Sequence, residues 1–325
     1  MREWGLGFNR YFEKWMFLII PGSLVLGFAG GDALLPMVGA VPYLFAFVTF
    51  AMAIGCGLRE LSGVMKKPGV MGLTFIIAHI VSPLAAYGIG SAVFGADSPY
   101  VVGLVLFTII PLGVSTVLWV GMSGGSIPLM LAMVVLDSLL SPLVVPAGIH
   151  LFFDTTAQVE TWPMMVDLIV IIVLPTIVGV GLNEWSKGKA QAALKPYTAP
   201  LSKLCFVGVV ALNAAAISPY MEQLKKDMAV LVPVVVLLVG LCYALGFIGT
   251  SAAKDSKVQI TVSYATGMRN ISLGIVLALG YFSPLAAVPV VLSILIQQPI
   301  ATAHHYILQK INKDKTSARG GAHVG

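Results

Sequence analysis

Arg269 and Asp137 are the residues of this chain hardest to reconcile with their surroundings. Arg269 lies near the middle of an apolar stretch at 258–280, and Asp137 near the middle of another at 127–150. If those stretches cross a membrane, a charge at that depth costs about 3 kcal/mol even on the gentlest insertion scale. Each charge then needs a partner or water, and each can supply the other, because an Arg–carboxylate pair can be bidentate and strongly oriented. Such a pair is either structural, or functional with Arg269 as the counter-charge of an anion and Asp137 as a titratable coupling group. His79 lies four residues before Pro83 in a third apolar stretch. It either relays a proton near neutral pH or packs as a neutral, hydrogen-bonded ring. Ser115, Thr116 and Asn270 add small polar groups to otherwise apolar runs.

Other chemistry is poorly supported. No H-E-x-x-H, G-x-S-x-G or G-x-x-x-x-G-K-[ST] run is present, which disfavours an enzyme. Cys56, Cys205 and Cys242 sit at unrelated spacings without a metal-binding pattern and read as buried structural thiols. His304 and His305 are adjacent and so point to different helix faces, a poor metal site; they are expected to snorkel at the membrane interface. Asp167, five residues past Trp162, is expected to reach headgroups. The sequence implies no cofactor and no metal site.

The elements that must position these residues follow from composition. The 325 residues are 58% hydrophobic and only 10% charged, with mean hydropathy +0.94. Soluble domains are about 25% charged. The chain therefore reads as an all-α, multi-pass protein embedded in a lipid bilayer. The net charge of +5 does not argue for nucleic acid, since Lys and Arg collect in cytoplasmic loops anyway. Ten apolar segments are predicted, at 15–35, 41–58, 69–90, 99–121, 127–150, 162–182, 201–218, 228–250, 258–280 and 285–308. They are continuous and too long for barrel strands. Residues 1–14, with Trp4, Phe8, Phe12, Arg2, Arg10 and Lys14, suit a cytoplasmic interfacial helix, and 309–325 a cytoplasmic tail.

Placing the N-terminus inside puts sixteen of the 19 Lys and Arg residues on the cytoplasmic side. Only Lys225 and Lys226 fall outside, and Arg269 is left within the membrane. That bias predicts cytoplasmic termini and cytoplasmic loops at 59–68, 183–200 and 251–257. The expected home is a bacterial plasma membrane. Ten spans divide into two five-helix repeats, 15–153 and 162–308, the second inverted because each holds an odd number of spans. Segments four and nine correspond in the two halves, and both are interrupted by Gly and polar residues. Pro111 and Gly113 interrupt one and Gly267 the other, freeing backbone groups at mid-membrane.

These residues resemble a known family. Ala265-Thr266-Gly267-Met268-Arg269-Asn270 resembles the E-x-G-x-Q-N run of the bile acid:sodium symporter family. Pro111-Leu112-Gly113-Val114-Ser115-Thr116 resembles its P-G-G-T-A-S-N run. The stretch from Gly55-Cys56 through Lys66-Lys67-Pro68 to Pro83 is similar to its second and third helices. The resemblance implies two inverted five-helix repeats with broken, crossing helices four and nine. It implies a panel domain of helices 1, 2, 6 and 7, and a core domain of helices 3–5 and 8–10. Its substrates are organic anions, bile acids or monocarboxylates, carried by alternating access.

The departures from the family pattern fall on its sodium ligands. The Glu becomes Ala265, the Gln becomes Arg269, and the Ser-Asn pair becomes Thr116-Val117. Met130 and Val134 replace a Ser and a Thr on helix five, and Ala78 replaces a Gln on helix three. A hard cation wants several oxygen ligands, and these side chains offer almost none. Met130, Val134 and Asp137 share one helical face, so an acid enters that neighbourhood while Arg269 brings a permanent cation. The sequence thus predicts a small-organic-anion transporter with Ser115, Thr116, Arg269 and Asn270 at the substrate. Half-helix N-termini near Ser115 and Thr116 would favour a carboxylate. Sodium is doubtful and a proton possible, through Asp137 or His79. The rivals are an ordinary sodium symporter and a membrane sensor that binds the same anion.

Overall fold

In the computed structural model the described residues are 2–57, 62, 68–153 and 160–321. Most of the expected 59–68 loop and its Arg59, Lys66 and Lys67 lie outside them, as do the side chains of Arg2, Trp4, Arg10 and Lys14. The described chain is helical, in the order α1 (Arg2–Ala29), α2 (Val41–Ala53), α3 (Pro68–Phe94), α4 (Pro99–Ile109), α5 (Thr116–Met122), α6 (Ile127–Phe153), α7 (Thr161–Trp185), α8 (Lys189–Ile217), α9 (Met221–Gly249), α10 (Ser256–Gly267), α11 (Ile271–Tyr281) and α12 (Pro284–Gly321). Among the described residues seven helices are long and apolar enough to cross a membrane, and three apolar helices are shorter. The protein is therefore an all-α, multi-spanning membrane protein with about ten apolar helical segments.

Differences from the sequence-based boundaries concentrate where polar residues continue a helix. The stretch 1–14 is not separate from the first span, since α1 runs unbroken from Arg2 to Ala29, and the rest of the expected span to 35 forms a separate short helix, Gly31–Leu34. The expected 183–200 loop shrinks to a turn at Ser186–Gly188, where Lys187 and Gly188 adopt φ of 54° and 82° before α8 begins. The expected tail is helical to Gly321 as the end of α12. Lys, Gln and Ala are good helix formers, so charge ends an apolar run without ending the helix.

Apolar side chains such as Leu26, Leu151, Ile177 and Leu237 stand on the outer surface, as lipid-facing residues must. Tyr43, Trp162, Trp185, Tyr197 and Tyr306 are exposed as well, as amphipathic aromatic side chains are where a membrane meets water. Helices α1, α2, α7 and α8 pack mainly on one another. Helices α3, α4, α6 and α9 to α12 form a second packed group, joined by α5 against α6 and α10.

Segments four and nine are each split in two, and local sequence explains both breaks. Pro111 biases Ile110 to an extended conformation, with ψ of 156°, and α4 stops. In segment nine α10 ends at Gly267, and Met268 is extended at φ −118° and ψ 122°. Gly267 lies so close to the Tyr243 ring that a Cβ there would stand 2.4 Å from its carbons. Asp255 starts α10 by accepting hydrogen bonds from the Lys257 and Val258 N–H groups, at 2.9 and 3.3 Å.

Gly267→Ala should therefore cost about 2 kcal/mol through overpacking, read as a lower melting temperature of the detergent-purified protein. Gly280→Ala, where an added Cβ meets nothing within 4 Å, should leave it unchanged. Equal melting temperatures for the two variants would show that Gly267 is not held against Tyr243.

Candidate functional site

The two breaks meet. Leu112 and Arg269 form an isolated antiparallel bridge. The Gly113 N–H donates to the Met268 carbonyl at 3.0 Å, and the Asn270 N–H donates to the Pro111 carbonyl at 2.8 Å. A two-fold rotation that exchanges Leu112 with Arg269 exchanges these two bonds. The remaining donors are also satisfied. The Met268 N–H returns to the Tyr264 carbonyl at 3.0 Å, and Pro111 has no N–H to satisfy. The Leu112 N–H donates to Asp137 Oδ2 at 2.7 Å, and the Arg269 N–H donates to Gln297 Oε1 at 2.8 Å. Gln297 Nε2 also donates to the Arg269 carbonyl, at 3.4 Å. Every backbone N–H from 111 to 113 and from 268 to 270 thus has a protein partner, as a non-helical segment at membrane depth requires. Gly113 permits the approach, since a Cβ there would stand 2.8 Å from the Arg269 carbonyl oxygen.

The Arg269 side chain is fully buried. Nη2 donates to the Ala78 carbonyl at 2.8 Å and Nη1 to the Ile110 carbonyl at 3.4 Å, while Nε has no partner. Ala78 is available for a local reason. The chain makes a π turn at Ile77–Val81, and the Ser82 N–H bonds the Ile77 carbonyl. The donor that would serve Ala78 in that register belongs to Pro83, which has none. The Ile110 carbonyl is left open by the end of α4.

Asp137 does not form the expected ion pair with Arg269. Its Oδ1 is 2.6 Å from His79 Nε2 instead, and Arg269 acts on it only through space. Arg269 is committed to the two carbonyls, so the histidine on α3 is the group in contact. His79 Nδ1 lies 3.1 Å from the Ile109 carbonyl, and the ring packs at 4.6 Å from that of Phe75, tilted by 48°.

A cavity of about 230 Å³ lies against the crossing, between the two packed groups. Ser115, Arg269 and Asn270 line one side, with Gln297 and Gln298; Phe45, Phe206 and Lys203 line the other. Three of the four expected substrate residues thus share one cavity. Thr116 does not: it is fully buried, and its hydroxyl donates to the Gly113 carbonyl at 2.5 Å, bracing the turn. Toward the opposite end a second cavity, of about 460 Å³, touches Tyr43, Asp167, Asn213 and Tyr281. Asn213 is buried there with neither amide atom partnered. Asp167 accepts a hydrogen bond from the Tyr281 hydroxyl at 2.6 Å, rather than standing free for headgroups.

His304 and His305 turn inward instead of snorkelling. His304 Nε2 is 2.5 Å from the Ser263 hydroxyl, and His305 Nδ1 is 2.7 Å from that of Ser123. Among the described residues no group of three or more His, Cys, Asp or Glu could hold a metal ion. Sequence reasoning missed Gln297, Gln298 and Lys203 as site residues. The signals were present: Gln297-Gln298-Pro299 interrupts the tenth apolar segment, and Lys203 stands inside the seventh.

The resemblance puts the family's sodium ligands at four further positions. Ala78, Met130, Val134 and Ala265 are all buried and carry no side-chain oxygen. A family model described as the Sodium Bile acid symporter family matches residues 42–224. The chain belongs to that family. Membership makes it a secondary transporter and not an enzyme. The YbaS protein of Bacillus subtilis (strain 168) is 34% identical over 294 residues, 90% of this chain and 96% of its own. YocS of the same organism, named a sodium-dependent transporter, is 27% identical over 268 residues, 82% and 81% of the two chains. A probable sodium/metabolite cotransporter named BASS2, chloroplastic, from Oryza sativa subsp. japonica is 24% identical over 250 residues, 76% and 58% of the two chains.

A double-mutant cycle on folded stability should place the larger coupling on His79 and Asp137. Asp137→Asn with His79→Gln should couple by about 1–3 kcal/mol, more than Asp137→Asn with Arg269→Gln. The reverse order would mean that the guanidinium, not the imidazole, holds the carboxylate.

Proposed function

We propose that this protein carries a small organic anion across the membrane by alternating access and does so without sodium. The reading rests above all on Arg269, a buried cation joined to no carboxylate among the described residues, which lines a cavity that also receives Lys203. Asn270, Ser115 and Gln298 offer hydrogen bonds to the anion, and α11 presents its N-terminus at Asn270. Phe45, Phe206 and Val114 offer an apolar wall for the rest of the molecule. A volume of about 230 Å³ is below the roughly 300–1,000 Å³ of pockets for drug-sized ligands. It suits a monocarboxylate of a few carbons better than a steroid.

The Ala78 and Ile110 carbonyls are the kind of oxygens that could ligand a metal cation at a broken helix, and the guanidinium occupies both. A tethered charge thereby takes the place of a bound one.

The two-fold pairing at the crossing supports the inverted repeat, with Asp137 on α6 and Gln297 on α12 in matching roles. The packing of α1, α2, α7 and α8 apart from the remaining helices supports a panel rocking against a core. Cavities on both sides of the crossing suit a path opened alternately to either face. The charge bias supports a cytoplasmic position for Lys187 and for both termini. Single cysteines at positions 97 and 187 should accordingly label from opposite sides of intact cells, and labelling from one side would rule out this topology.

In a thermal-shift series, 2-oxoisovalerate and benzoate should raise the melting temperature while taurocholate does not; stabilisation by taurocholate alone would reverse the size argument. Uptake of 2-oxoisovalerate into proteoliposomes should stay within about twofold when choline replaces sodium on both sides, since no side-chain cage is there to lose. Uptake that vanishes in choline and returns with sodium would overturn sodium independence. Arg269→Gln should abolish this uptake.

A further inference from the structure

We propose that His79 and Asp137 together bind one exchangeable proton and that this proton is the coupling ion; the second half rests on the transport reading above. The hydrogen-bond geometry fixes the proton count. His79 Nδ1 faces the Ile109 carbonyl at 3.1 Å, and a carbonyl only accepts, so Nδ1 carries hydrogen. That carbonyl has no helical donor. The N–H four residues on belongs to Gly113, which donates across the crossing to Met268. The break in segment four therefore sets the tautomer of His79.

Nε2 is then left facing Asp137 Oδ1 at 2.6 Å. Without a proton between them, a nitrogen lone pair would meet a carboxylate lone pair at hydrogen-bond distance. With one proton the contact is a hydrogen bond, charge-assisted when written as imidazolium and carboxylate and neutral when written as imidazole and carboxylic acid. Both forms hold the same number of protons and are together neutral. Release breaks one N–H or O–H bond, passes the proton to water, and leaves the pair with net charge −1. Asp137 Oδ2 stays on the Leu112 N–H throughout, so only the His79 contact depends on the proton.

The space beside the pair admits little else. A gap of about 10 Å³, bounded by Thr74, Phe75 and Ala78, is room for one water at most and not for a cation with its ligands. Of the other ionisable groups on the surrounding elements, Arg269 at the crossing acts on Asp137, the buried Cys242 thiol on α9 lies near Arg269 in turn, and Tyr243 on α9 and Tyr264 on α10 lie beyond it. Of these four, Arg269 carries a permanent charge, and it acts on Asp137 without touching it. The link to the anion cavity is short. Asp137 holds Leu112, Leu112 pairs with Arg269, and Arg269, Asn270 and Gly113 form the cavity wall. Occupancy of the proton site thus bears on the wall that meets the anion. One proton per monocarboxylate makes the cycle electroneutral.

The proton site is tested without any substrate. Protein labelled with 15N-histidine, purified in detergent, is titrated by NMR from pH 4 to pH 11, with the His79 resonances assigned by their loss in His79→Gln. Wild type should show His79 as an Nδ1–H ring whose Nε2 changes state once in that range. Asp137→Asn, whose amide can serve both the Leu112 N–H and Nε2, should lose that step and one proton in potentiometric titration. A wild-type His79 that never changes state, or a step that survives in Asp137→Asn, overturns the proposal.

Coupling is read in proteoliposomes holding the pH dye pyranine. Adding 2-oxoisovalerate should acidify the lumen beyond protein-free vesicles, with one proton per anion, and a pH gradient of one unit should drive about tenfold accumulation. Counterflow of labelled 2-oxoisovalerate without acidification would remove the coupling role while leaving the carrier reading intact. If no monocarboxylate undergoes counterflow, the carrier reading and the coupling role both fail, and the NMR titration still decides the proton site.

Discussion

A helix broken at mid-membrane exposes peptide groups that lipid cannot satisfy, and this constraint organises the molecule. Two breaks placed against each other satisfy part of the demand, through the Gly113–Met268 and Asn270–Pro111 bonds. Two side chains from neighbouring helices complete it, Asp137 on the Leu112 N–H and Gln297 on the Arg269 N–H. The carbonyls left over at Ala78, Ile109 and Ile110 then fix what else can stand there, namely donors. Arg269 and His79 are those donors. Their positions follow from the open valences of a broken backbone, so the charged groups of the site are part of its scaffold.

A fixed guanidinium and a bound metal ion neutralise the same carbonyl dipoles but differ in what they can do. A bound ion leaves and returns, and its gradient can drive a cycle. Arg269 cannot leave, and arginine keeps its proton at accessible pH. It can stabilise an anion beside it but cannot convert a gradient into work. Any coupled movement of charge must therefore come from a group that changes state, and among the groups packed at the crossing His79 and Asp137 are the pair in contact. On the function proposed above, side chains without oxygen at the sodium positions would change the kind of ion such a carrier can use while keeping its backbone arrangement.

Much of this was legible in the sequence. Apolar runs gave about ten spans, and Pro111, Gly113 and Gly267 marked both breaks, because the requirement for extended backbone is local. The burdened residues Arg269, Asp137 and His79 stood out because charge at depth is costly wherever it occurs. Their pairing was not legible. It depends on the π turn at Ile77–Val81, which turns the Ala78 carbonyl toward Arg269 and leaves His79 for Asp137; nothing in residue type alone distinguishes that register from an ordinary α turn. Thr116 and Ser115 are adjacent and chemically alike, yet one braces the turn and the other lines the cavity, a difference set by helix phase. Polar continuations hid the true ends of α8 and α12 for the opposite reason, because hydropathy falls where the helix does not.

The two holders of the crossing are alike in place and unlike in valence. Gln297 both accepts and donates, so it satisfies the N–H and the carbonyl of Arg269 and closes its own account within the crossing. Asp137 only accepts when ionised. Having taken the Leu112 N–H on one oxygen, it needs a donor for the other, and that donor must come from outside the crossing. His79 supplies it from α3, so one half of the structure is tied to a third helix through a proton while the other half is tied by a neutral amide. The first tie can be made and broken by proton exchange and the second cannot. A near-symmetric backbone thus acquires a chemically one-sided switch from a single difference in side-chain type, acid on α6 against amide on α12.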